Sequence, residues 1–134
     1  MTSKIYEEFE NDDGTVTRYR KHVNGRGRIA ATSTVDPTAW IDPTAYVEDG
    51  ATVGRAVRIG PNSWIDKDAV VGPGSQIGTA VRVGAHAKVG TGVRIGSYSR
   101  IGEGAAIAPG ARIAGDSIIP RGARVAKDGY GRAA

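Results

Sequence analysis

The 134-residue chain has no cysteine, one methionine and one phenylalanine, and aromatic residues make up only 6% of it. The missing cysteines exclude disulfides, thiolate metal sites and a thiol nucleophile together. No apolar run reaches the roughly 18 residues that a spanning helix needs, so no membrane crossing is expected. The opening stretch, MTSKIYEEFEND, lacks the basic and then apolar order of a secretory signal, which points to a cytoplasmic protein. Histidine is nearly missing as well: His22 and His86 are the only two. A chain of this length is one domain by the usual prior.

What the chain does have is glycine, 20 residues of it, and a strict period of six. From Val35 through Ile41, Val47 and Val53 to Ile119 and Val125, sixteen aliphatic residues recur six apart without insertion or slip. A period of six drifts off any helix face. It is even, however, so in extended chain every member points the same way. Two residues before each aliphatic stands a small side chain, from Ser33, Ala39 and Ala45 to Ala123. Each hexad therefore buries one large and one small group. Turn formers follow two or three positions after the aliphatic, such as Pro37, Pro43 and Pro61 at one and Gly50, Gly74 and Gly92 at the next. A short strand and a corner, repeated, make a solenoid, and a thin solenoid explains the glycine-rich, aromatic-poor composition.

The stretches VDPTAWIDPTAYVEDGATVG, VRIGPNSWI and VVGPGSQIG resemble the hexapeptide repeats of the left-handed parallel β-helix superfamily, which includes acyltransferases and gamma-class carbonic anhydrases. The resemblance covers roughly residues 33 to 128. It implies an all-β fold with three hexads per coil, a left-handed path and about five coils, usually in a homotrimer. At about 4.8 Å per strand the prism would be on the order of 25 Å long. Spacing alone sets neither the handedness nor the number of sides. Residues 1–32 lie outside the repeats. Two alternating stretches around Asp13 and Gly14 read as a β-hairpin that could cap an open solenoid end, or swap onto a neighbour. NGRGRIAATS reads as a flexible basic connection, with His22 exposed nearby, and residues 129–134 read as a short tail.

With 18 residues per coil, the residues just before each aliphatic sort onto three faces. The first face stacks Tyr46, Trp64, Arg82, Arg100 and Ile118; the second Trp40, Arg58, Gln76, Arg94 and Arg112; the third Thr34, Thr52, Val70, Lys88, Ala106 and Arg124. Acids dominate residues 33–76 and bases residues 77 to the end, so the prism is expected to be acidic at one end and basic at the other. Stacked arginines repel, and an anion or an acidic surface would relieve them. Nucleic acid is a poor fit: the net charge is only +4 and no nucleic-acid motif is present. The recurrent glycines are part of the coil and open no helix, so they are not a phosphate-binding loop.

Among the repeats His86 stands at a corner, with Asp68 one coil below it in the same column. The resemblance implies a histidine that deprotonates the acceptor hydroxyl or amine while coenzyme A lies in a cleft between protomers. His86 is then the catalytic candidate, Asp68 its orienter, and Arg82, Arg94 and Arg100 the candidates for holding the phosphates of coenzyme A. Whether the chain is an enzyme stays open. The alternative is a non-catalytic scaffold, an assembly protein or a binder of an anionic small molecule, because the hexads lack the inserted loops that close the cleft in related enzymes. A carbonic anhydrase reading would need three histidines on zinc, and two are present.

Overall fold

The computed structural model describes residues 6–128, which form strands and turns and no helix. The fold is all-β, a left-handed parallel β-helix of about five coils with an N-terminal hairpin. Strands β1 (Glu7–Glu10) and β2 (Val16–Lys21) pair antiparallel through the turn at Asp13 and Gly14. Strand β3 (Arg28–Ala30) pairs antiparallel with β2 and parallel with the coil. On the first face β3 is followed by β6 (Tyr46–Val47), β9 (Trp64–Ile65), β12 (Arg82–Val83), β15 (Arg100–Ile101) and β18 (Ile118–Ile119). The second face stacks β5 (Trp40–Ile41), β8 (Arg58–Ile59), β11 (Gln76–Ile77), β14 (Arg94–Ile95) and β17 (Arg112–Ile113). The third stacks β4 (Thr34–Val35), β7 (Thr52–Val53), β10 (Val70–Val71), β13 (Lys88–Val89), β16 (Ala106–Ile107) and β19 (Arg124–Val125). All three outward columns read from the sequence are therefore ladder partners.

Each coil strand from β4 onward is two residues long because the corner consumes the rest of the hexad. The second residue of each coil strand points inward, and Ile41, Ile59, Ile65 and Val83 are wholly buried. The small interior position is filled by alanine, valine or serine, and the serines have a second use. Ser63 and Ser75 each donate to a carbonyl at 2.7 Å (Gly78 and Gly90), while accepting the N–H of Val81 and Val93. A hydroxyl can be buried in this column because both of its bonds are made there. At the acidic end Asp36 and Asp42 hold Thr38 and Thr44 in side-chain turns, and those two hydroxyls accept the N–H of Ala56 and Asn62 one coil up. The corners bend through left-handed backbone at glycines such as Gly104, and also at Asn62, Asp68, His86 and Tyr98.

Two sequence expectations are corrected by the structure. NGRGRIAATS is not a flexible connection. Ile29, six before Val35, is a further interior aliphatic with no exposed surface, so the coil starts inside residues 1–32. Gly27 occupies the small interior position there because any Cβ would run into Ile41 and the carbonyl of Asp42. His22 is not exposed: it is 2% accessible and covers the first coil, its Nε2 donating to the Ala39 carbonyl at 2.9 Å. The tail at 129–134 lies outside the described residues.

Candidate active site

His86 sits at the corner between β12 on the first face and β13 on the third. Its backbone is left-handed, with φ +61°, and its N–H donates to the Lys67 carbonyl at 2.9 Å. That conformation aims the side chain outward, where it is 64% exposed. Asp68 repeats the same corner one coil below, with φ +59°. Its Oδ2 lies 3.8 Å from His86 Nε2, an ion-pair distance and longer than a hydrogen bond. Gly50, the next member of the column, leaves room for the Asp68 carboxylate, into which any side chain at that position would run. The structure thus brings together the histidine and the carboxylate that the sequence paired.

An open groove lies beside His86 on the third face, lined by Lys88, Gly104, Ala106, Gly122 and Arg124 among others. Sequence reasoning missed Lys88 and Arg124 as site residues. It followed the columns where arginines adjoin, whereas Ala106 separates these two cations on the third face. The signal was present, since Lys88 is two residues past His86 and Arg124 shares its column.

The predicted phosphate-holding residues are scattered. Arg82 donates to Asp66 Oδ2 at 3.0 Å and lies over the Trp64 ring at 5.9 Å, so its charge already has partners. Arg100 follows Arg82 on the first face and makes no ion pair among the described residues. Arg94 is on the second face, the side opposite the His86 corner, directly beside Arg112. A single copy of the chain does not bring Arg94 to His86.

Three buried ionisable groups lie apart from this corner: Tyr19, Glu48 and His22. The Tyr19 hydroxyl donates to Glu48 Oε1, and Glu48 Oε2 is buried with no partner. Burial raises the Glu48 carboxyl above the ordinary carboxylate range, helped by Asp66 and Asp49, and burial also raises the Tyr19 phenol. Tyr19 joins an edge-to-face and stacked column, Phe9–Tyr19–Tyr46–Trp64, with ring centroids 5.4 to 5.5 Å apart. Burial lowers His22 below its ordinary value. Among the described residues no group of three His, Cys, Asp or Glu could hold a metal ion.

With this geometry in view, residues 56–91 match the family model described as bacterial transferase hexapeptide (six repeats). No curated protein sequence matches the chain. Among solved structures, a variant of perosamine N-acetyltransferase from Caulobacter crescentus, in complex with CoA and GDP-perosamine, is 28% identical with a TM-score of 0.70; the similarity covers 72% of this chain and 46% of that one. The acetyltransferase domain of PglB from Neisseria gonorrhoeae FA1090, in complex with acetyl coenzyme A, is 26% identical with a TM-score of 0.58, over 73% of this chain and 53% of that one. The chain thus spans about half the length of these neighbours. The described residues fold as a hexapeptide-repeat left-handed β-helix, the fold these solved acetyltransferase structures match, and no helix among the described residues is long and apolar enough to cross a membrane.

Proposed function

We propose that the protein is a coenzyme A-dependent acyltransferase acting as a homotrimer in the cytoplasm. The observation that carries this reading is the His86–Asp68 corner opening onto a groove with two cations, on a fold whose solved neighbours hold coenzyme A. Asp68 orients the imidazole through Nε2, which leaves Nδ1 free to take a proton from an amine or hydroxyl. That acceptor attacks the thioester carbonyl, forming the new C–N or C–O bond while the C–S bond breaks, and His86 passes the proton to the departing sulfur. Lys88 and Arg124 hold phosphates in the groove, with Arg100 on the adjoining face. Arg94 reaches the same cleft only from a neighbouring copy, so this reading needs assembly. The exposed Trp64, Val70 and Ile118 give the flat faces apolar surface for it.

Calorimetry with coenzyme A, light scattering and an acyl-transfer assay against amines and alcohols test the reading. His86→Ala should leave binding nearly intact while turnover falls on the order of a hundredfold or more, because a base acts mainly in the transition state. Lys88→Ala or Arg124→Ala should each weaken binding by roughly 1.5–3 kcal/mol, as for a charge-assisted hydrogen bond. A parent that neither binds coenzyme A nor transfers an acyl group overturns the proposal. A second reading, sequestration of an anionic small molecule, is favoured by Arg94 and Arg112, which stand side by side with no acidic partner among the described residues. Binding of an anion, lost on Arg94→Ala without any turnover, would select it.

A further inference from the structure

The second face carries three arginines in one outward column. Arg58 pairs across the ladder with Gln76, Gln76 with Arg94 and Arg94 with Arg112, so the four stand one above another along the prism at about 4.8 Å per step. From Arg58 to Arg112 the column is roughly 14 Å long, three such steps. All four side chains are exposed, and none of the three arginines makes an ion pair among the described residues. Elsewhere several arginines find carboxylates: Arg28 has Glu7, Arg82 has Asp66 and Arg121 has Glu103. Arg94 and Arg112, like charges on adjacent strands, repel each other.

A groove of about 410 Å³ runs beside this column, lined by Arg58, Gln76, Arg94, Thr79 and Ser97, with no acidic side chain in its wall. What it offers is donors. The Arg58 guanidinium lies over the Trp40 ring at 5.3 Å, which fixes the group and leaves its N–H edges free. Ser97 Oγ accepts the Thr79 N–H at 3.0 Å, so its own hydrogen is available. Donors without a carboxylate suit an anion, and donors in a line suit an anion whose charges are in a line. A single phosphate would fill the step from Arg94 to Arg112 and leave Arg58, Gln76 and Thr79 idle. Nucleic acid asks for aromatic surface on which its bases stack, and Trp40, the aromatic of this column, lies under Arg58. A chain of linked phosphoryl groups needs no such surface, is charged at every unit and fits the guanidinium fork.

We infer that the second-face groove binds an oligophosphate, a linear run of phosphoryl groups lying along the column from Arg112 to Arg58, whether free or carried as the tail of a nucleotide. This site rests on the reading in which Arg94 and Arg112 take an anion, and it needs neither coenzyme A nor His86, which stands at the opposite corner.

Calorimetry of the full chain with orthophosphate, tripolyphosphate and long-chain polyphosphate tests the site. Affinity should rise at least about tenfold from orthophosphate to tripolyphosphate, the worth of a further charge-assisted contact, and added salt should lower it. Arg94→Gln and Arg112→Gln, which keep bulk and lose charge, should each weaken tripolyphosphate about tenfold or more. Arg58→Gln should weaken the long chain by a similar factor and leave orthophosphate nearly unaffected, because Arg58 is two steps from Arg94. Arg121→Gln removes the same charge from the corner opposite the second face and should leave all three affinities within about twofold, since solvent and salt screen exposed charges at that range. A nucleoside triphosphate bound no tighter than tripolyphosphate assigns the groove to the phosphoryl run alone; one bound at least about tenfold tighter, and lost on Arg94→Gln, assigns it to a nucleotide tail. A parent that binds orthophosphate through Arg94 and gains nothing with chain length keeps the simple anion reading and overturns the oligophosphate site. Binding lowered as much by Arg121→Gln as by Arg94→Gln is diffuse attraction and overturns it too. A parent that binds none of the three overturns both.

Discussion

Replacing Tyr19 by phenylalanine would show what fastens the hairpin to the coil. The hydroxyl of Tyr19 is the side-chain partner of Glu48, whose other oxygen is buried and unpaired. Phenylalanine keeps the ring contacts with Phe9 and Tyr46 and removes only the donor, leaving both carboxyl oxygens without a bond. A hydrogen bond to a charged group contributes about 1.5–3 kcal/mol, and one between neutral groups about 0.5–1.5 kcal/mol. Tyr19→Phe should therefore cost about 1.5–3 kcal/mol where Glu48 is ionised and less where it is protonated. The pH dependence has a definite sign. Because the folded Glu48 carboxyl is raised, the folded chain holds this proton more tightly than the unfolded chain does. The stability linked to it is full below the ordinary carboxylate range and is lost as pH rises through the raised value. Glu48→Gln removes the titration, so the parent should lose stability relative to this variant as pH rises above the ordinary carboxylate range. Urea unfolding followed by circular dichroism, on parent, both single variants and the double variant, reads all of this. A Tyr19→Phe cost that stays below about 0.5 kcal/mol at every pH from about 4 to 9, or one unchanged in the Glu48→Gln background, would refute the pairing.

His22 supplies a decline in the opposite direction. Its folded value is lowered, so the folded chain binds this proton less readily, and stability should fall as pH drops below the ordinary histidine value of about 6.5. His22→Gln should lose that decline, seen as a smaller fall in melting temperature from pH 7.5 to pH 5. Ser75→Ala leaves the Val93 N–H and the Gly90 carbonyl without their buried hydroxyl partner and should cost about 1–3 kcal/mol by urea unfolding. Ile77→Asp places a charge in the interior column with no partner, and calorimetry should find no cooperative transition.

The coil was legible because its pattern is repeated and local: one large and one small interior residue per hexad set register, face and neighbour at once. The pattern failed where the fold bends its own rule. Gly27 stands where alanine or serine was required, because the Ile41 backbone and side chain crowd that position, and the hexad around Ile29 was hidden as a result. His22 was misplaced for a related reason. Burial of a polar group at a solenoid end depends on a single carbonyl, that of Ala39, 17 residues away, and no period announces it. The His86–Asp68 pair was readable because one column holds both residues. The groove cations Lys88 and Arg124 were not singled out, since a column interrupted by Ala106 does not look like a charge cluster.

The hairpin covers one end of the first-face sheet, while in a single copy nothing among the described residues covers β18. That asymmetry gives the molecule a direction of melting. Each coil is held only by its neighbours, so opening is a fraying process that starts where a coil has one neighbour instead of two. Amide protons of Ile119 and Val125 should exchange first, those of the middle coils later, and those beneath the Tyr19–Glu48 fastening among the last. The prism should shorten from its basic end, coil by coil, long before its acidic end lets go.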